Sequence, residues 1–216
     1  MKTYFFSVKV TIFLFCLLLV LHAQESSDQL MRAIGDNNME EVNKIIENGA
    51  NVNELTKIGT TPLIHAVWGK NIEIINLLLE NGADINLNTE GFGTALINAA
   101  NVGSLETTKY LVAKKADINS QDKEGKTALM SAIYSGYPEI AKYLIDSGAD
   151  VNSKGSSDWT ALMFAAMRGD TVSVKNLIDA KADVNSKIKG GETPLQRATA
   201  LEYKNVMTIL KKAGAK

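Results

Sequence analysis

A six-residue pattern returns at a fixed interval along the chain: TPLIHA from Thr61, TALINA from Thr94, TALMSA from Thr127, TALMFA from Thr160 and TPLQRA from Thr193, each start 33 residues after the one before. The same interval counted back from Thr61 reaches Asp28, which opens the degenerate copy DQLMRA. A second motif keeps the step, as NGANVN at Asn48, NGADIN at Asn81, KKADIN at Lys114, SGADVN at Ser147 and AKADVN at Ala180. A period undisturbed by insertions means one small structural unit stacked on copies of itself.

The residues within a unit specify a pair of helices. Thr61 precedes Pro62, whose fixed φ and missing N–H suit a first helical turn, so Thr61 reads as the cap of a short helix through Leu63, Ala66 and Val67. Ala66, Ala99, Ala132, Ala165 and Ala198 recur where neighbouring helices must approach closely. A second helix follows, with Ile72, Ile75, Leu78 and Leu79 on one stripe, matched by Leu105, Thr108, Leu111 and Val112 and by Pro138, Ala141, Leu144 and Ile145. Gly49, Gly82 and Gly148 then supply a left-handed end cap, and Lys115 and Lys181 replace glycine there at some cost. One such pair cannot bury its own apolar surface, so the expectation is a single cooperative solenoid. The last copy suits its end, because Gln196 stands where Ile64, Ile97, Met130 and Met163 stand, and Lys211 where Leu79, Val112, Ile145 and Ile178 stand. The first copy likewise puts Asp28, Gln29, Met31 and Arg32 in its opening helix.

The two motifs together resemble the ankyrin repeat, whose T-P-L-H-x-A pattern falls on these positions from Asp28 onward. The departures are the family's His, replaced by Ile64, Ile97, Met130, Met163 and Gln196, and its Pro, kept only as Pro62 and Pro194. The resemblance implies an all-α repeat solenoid of about six 33-residue ankyrin repeats starting near 28, 61, 94, 127, 160 and 193, each a helix-turn-helix with a β-turn or hairpin tip. It also implies a binding module that presents a concave face to a protein partner, with contacts at the tips before each Thr and at two positions late in each first helix. These positions give Trp68, Val102, Tyr134, Trp159, Met167 and Arg168 as candidate partner-binding residues. Trp68 and Trp159 are the only tryptophans, and aromatic anchors are enriched where binding energy concentrates. The competing reading is that Trp68 and Tyr134 merely cover a neighbouring helix. Tip charges such as Lys57, Glu90, Lys123 and Glu124 read as a solvated rim.

Catalysis has little to work with. Cys16 is the single cysteine, and His22 and His65 are the only histidines. Asp84, Asp117, Asp150 and Asp183 recur one repeat apart, too far for a shared metal, and suit turn-fixing hydrogen bonds instead. No phosphate loop, nucleophile elbow or paired metal-ligand motif occurs, so no enzyme activity, metal or cofactor is expected. A formal net charge of −1 with interspersed signs gives no footprint for nucleic acid. The expectation is a monomer that binds an unidentified protein. Its alternative roles are an accessory or inhibitory factor of an exported enzyme, or an effector acting on a host protein.

Export is read from the start of the chain. Lys2 and Lys9 precede or open an uncharged run from Val10 to Leu21, and the polar stretch Gln24-Glu25-Ser26-Ser27-Asp28 follows Ala23. Basic, then apolar, then small is the order of a secretory leader, and the apolar run is shorter than the ~18 residues of a membrane span. The expected organisation is a leader at 1–23 and an ankyrin-repeat domain at 24–216, secreted or held in the periplasm or cell envelope without a membrane span. Retention as an anchor is the alternative, because Leu21 is larger than the residue usually found that close to a cleavage site. The intact mass of exported protein is expected to match a chain starting at Gln24, and retention of the preceding residues would overturn this boundary.

Overall fold

Each first helix of the repeated unit begins at its threonine. In the computed structural model, which describes residues 26–216, Thr61, Thr94, Thr127, Thr160 and Thr193 are extended in backbone, and each hydroxyl accepts the N–H three residues on at 3.2–3.4 Å. A cap of this kind is worth about 1 kcal/mol. The leader boundary at Ala23, Cys16 and His22 lie outside the described residues.

The described residues form short α-helices in pairs, joined by turns, with Thr89–Gly93 as an isolated bridge and no longer strand among them. The order is α1 (26–35), α2 (Met39–Glu47), α3 (Pro62–Trp68), α4 (Ile72–Glu80), α5 (Ala95–Asn101), α6 (Leu105–Ala113), α7 (Ala128–Ser135), α8 (Pro138–Asp146), α9 (Ala161–Arg168), α10 (Thr171–Asp179), α11 (Pro194–Ala200) and α12 (Lys204–Lys212). Two compact units divide at Ala83 and Asp84. The first holds α1 to α4. In the second, α5, α7, α9 and α11 pack in sequence as one layer, and α6, α8, α10 and α12 as another. Ala99, Ala132, Ala165 and Ala198 are completely buried in the first layer.

The second helices bury a stripe displaced from the expected one. Ile74, Ile75 and Leu78 are buried in α4, whereas Ile72 and Leu79 are half-buried. Helices α6 and α8 repeat the pattern with Thr107, Thr108 and Leu111 and with Ile140, Ala141 and Leu144. The stripe is displaced because side chains tilt toward the helix N-terminus, and each second helix packs on its own first helix as well as on its neighbours. The end caps follow expectation: Gly49, Gly82 and Gly148 have φ of 89°, 86° and 95°, and Lys115 and Lys181 adopt the same left-handed turn at 69° and 70°. Gln196 is exposed on α11, where it completes a capping box with Thr193, and Lys211 is exposed on α12.

A ladder of side-chain hydrogen bonds ties the turns together. Asp84, Asp117, Asp150 and Asp183 each accept the N–H two residues on at 2.9 Å, which is the turn-fixing role expected of them. Each such N–H belongs to an asparagine that reaches into the next copy. Asn86, Asn119 and Asn152 accept the N–H of Asp117, Asp150 and Asp183 at 2.8 Å, and Asn185 accepts that of Lys216 at 2.9 Å. Asn152 also donates to the Lys181 carbonyl at 3.3 Å. Replacing Asn152 by alanine removes both links, and chemical denaturation should show a loss of about 1–2 kcal/mol. Replacing Lys142, whose pairing with Asp146 is exposed, should change stability by less than about 0.5 kcal/mol.

Candidate partner-binding site

The tips preceding each threonine share one backbone bond. The N–H of Thr56, Thr89, Asp122, Gly155 and Ile188 donates to the carbonyl four residues on, at 2.8–3.1 Å. Within that frame the tip at 155–159 is rebuilt. Asp122 caps its own turn by accepting the N–H of Glu124 and Lys126, and Gly155 stands at the equivalent place without a side chain. Ser157 and Asp158 take left-handed φ of 57° and 63°. Neighbouring tips hold this shape: Ser156 N–H donates to the Glu124 carbonyl at 2.6 Å, and Lys189 N–H donates to the Ser157 carbonyl at 3.0 Å. Gly125 lets the tips close, because a Cβ there would lie 2.9 Å from the Gly155 Cα.

This rebuilt tip delivers Trp159 onto the first-helix layer. Its ring lies 4.9 Å from that of Phe164 on α9, and Phe164 meets Tyr134 of α7 edge-on at 5.7 Å. Cations cover both ends of the row: Lys126 Nζ lies 5.3 Å over the Tyr134 ring, and the Arg197 guanidinium of α11 lies 5.3 Å from the Trp159 ring. Arg197 is held by Glu192 at 2.6 Å. The aromatic rings, Met130, Lys126 and the tip residues Glu124 and Gly155 to Ser157 line a cleft of about 340 Å³. Tyr134 remains 48% exposed, although its ring is packed on one edge.

Of the candidate residues, the structure brings Tyr134 and Trp159 together through Phe164. Arg168 joins them, since its guanidinium donates to the Tyr134 carbonyl at 2.7 Å. Val102 and Met167 are half-buried and do not line the cleft. Trp68 belongs to the first unit, half-buried, with its ring 5.0 Å from that of His65.

Phe164 and Arg197 do not stand among the candidates that the sequence singles out, yet it carries a signal for both. They occupy the variable fifth position of the six-residue pattern, with His65, Asn98 and Ser131. In four of the five copies that position meets the unit's own tip: His65 bonds the Thr60 hydroxyl at 2.8 Å, Asn98 donates to the Phe92 carbonyl at 2.7 Å, Phe164 stacks on Trp159, and Arg197 pairs with Glu192. Tip and helix identities therefore vary as couples. The rim charges are also partly paired, with Lys57 on Asp28 and Lys123 on Glu90. Lys123 holds the exposed Glu90 carboxyl below its usual range by its hydrogen bond and its charge.

A family model described as ankyrin repeats (3 copies) matches residues 13–89, 88–155 and 153–216. The chain belongs to the ankyrin-repeat family. Ankyrin repeats are generally protein–protein interaction modules and typically have no catalytic role. Among curated proteins, none matches the chain. No group of three or more metal-ligating side chains occurs among the described residues, and no helix among them is long and apolar enough to cross a membrane.

The first ankyrin unit carries a titratable couple. Burial holds the His65 imidazole below its usual 6.5, because the cation is disfavoured there. The unfolded chain therefore takes up its proton first as pH falls through 6.5, and the stability contributed by the neutral couple, full above that value, is lost toward the lower folded pKa. Denaturation midpoints at about pH 7.5 and 5.5 should fall more for the parent than for His65→Gln, which carries no titrating group; equal falls would remove this account.

Proposed function

We propose that this ankyrin-repeat protein is an exported binding module that engages a protein partner through the surface around Tyr134, Phe164 and Trp159. The observation that carries the reading is the Tyr134 ring, half exposed at the edge of a three-ring cluster that opens onto a cleft. A folding role alone accounts for Phe164, which joins the two other rings, but not for the exposed part of Tyr134. Export rests on the order of basic, apolar and small residues in the first 23 positions. The partner is then a protein met outside the cytoplasm, either an exported enzyme that the repeats assist or inhibit, or a protein of a host.

Affinity capture from an envelope fraction and from host lysate would distinguish these partners. With a partner in hand, Tyr134→Ala should lower affinity by about 2 kcal/mol, or about 30-fold, with little change in thermal midpoint. Trp159→Ala should lower both, because its ring also packs on Phe164 and under Arg197. Full affinity in Tyr134→Ala and Trp159→Ala alike would assign these rings to packing alone.

A further inference from the structure

We propose that the cleft recognises an acidic peptide segment carrying an aromatic anchor, so that the ring enters between Tyr134 and Trp159 and flanking carboxylates meet Lys126 and Arg168. The inference rests on the binding role assigned above and names the chemistry of the occupant. Three observations select it. The accessible apolar wall is aromatic, which favours a large apolar or aromatic side chain over a small polar one. The ring faces that would attract a cationic ligand already carry cations, Lys126 over Tyr134 and Arg197 over Trp159, so a positively charged anchor meets like charge.

The third observation is charge. Lys126 and Arg168 make no ion pair among the described residues, whereas Arg197 has Glu192, Lys123 has Glu90 and Lys57 has Asp28. Lys126 reaches over the Tyr134 ring, and Arg168 is fixed on the Tyr134 carbonyl, so two cations without carboxylate partners flank one half-exposed anchor ring. Glu124 contributes the one carboxylate of the lining; its side chain is exposed and its carbonyl is taken by Ser156. Within the lining Lys126 and Glu124 balance, and Arg168, bound to the Tyr134 carbonyl beside the cleft, adds a cation without an ion pair, which an acidic segment complements.

Calorimetry of the full chain with capped peptides tests this directly: Glu-Glu-Trp-Glu-Glu, Lys-Lys-Trp-Lys-Lys and Glu-Glu-Ala-Glu-Glu. The first should bind at least about tenfold more tightly than either other peptide and weaken as salt is raised. Lys126→Glu should lose about fivefold or more for the acidic peptide and gain for the basic one, Arg168→Glu should act in the same direction, and Lys126→Arg should retain binding. Thermal midpoints of the variants establish that they fold. Equal or tighter binding of the basic peptide, indifference to both charge reversals, or no binding of any peptide at about millimolar concentration overturns the inference. Capture of a partner that depends on Tyr134 and Trp159 but not on Lys126 or Arg168 also overturns it while leaving the binding role intact. Capture indifferent to all four residues removes the binding role itself.

Discussion

Successive first helices approach closely at a position where each carries only a methyl group, and in the second unit Ala99, Ala132, Ala165 and Ala198 fill that position with no exposed surface. This contact fixes how far apart everything else lies. It brings the tip of one copy onto the tip of the next, so that Gly125 touches Gly155 and the Ser156 N–H reaches the Glu124 carbonyl. It also sets α7, α9 and α11 close enough for side chains at neighbouring positions to form the row from Tyr134 through Phe164 and Trp159 to Arg197. A larger residue at an alanine position would separate the helices and would therefore weaken the turn ladder and the cleft at once.

Features decided within a few residues are legible in the amino-acid sequence. The threonine caps, the left-handed glycines and even Lys115 and Lys181 in glycine's place follow from local backbone requirements. The aspartates' turn-fixing role is local too. Outcomes set by packing between copies are not legible in the same way. Ile72 and Leu79 fit the helical period as well as Ile74 does, and only the position of the neighbouring helices buries Ile74 instead. The asparagine ladder is hidden for the same reason, since its acceptors and donors belong to different copies. Tyr134 and Trp159 stand out as large residues outside the six-residue pattern, whereas Phe164 and Arg197 hold a variable position within it whose partner, the tip, shows only in the fold.

The cleft exists because one tip departs from the common design. Gly155 gives up the side-chain cap that Asp122 provides, and Ser157 and Asp158 accept left-handed backbone that costs about 1 kcal/mol or more each. Bonds from both neighbouring tips hold the result. Strain of this kind persists where the surroundings over-determine it, and here its effect is to turn a tryptophan from the tip onto the helix layer. The second unit thus keeps a uniform frame and concentrates its departures from uniformity around one aromatic row.

The asparagine ladder has a further consequence for how such a chain can change over generations. Each rung joins an acceptor to an N–H 31 residues downstream, so the loss or gain of a single residue within a copy displaces one rung and misaligns the tip beside it. A duplicated or deleted block of one whole period leaves every remaining rung matched. The molecule can therefore lengthen or shorten in quanta of a repeat far more readily than by single residues, and variation of finer grain is confined to substitution at tips and at the helix positions that face them.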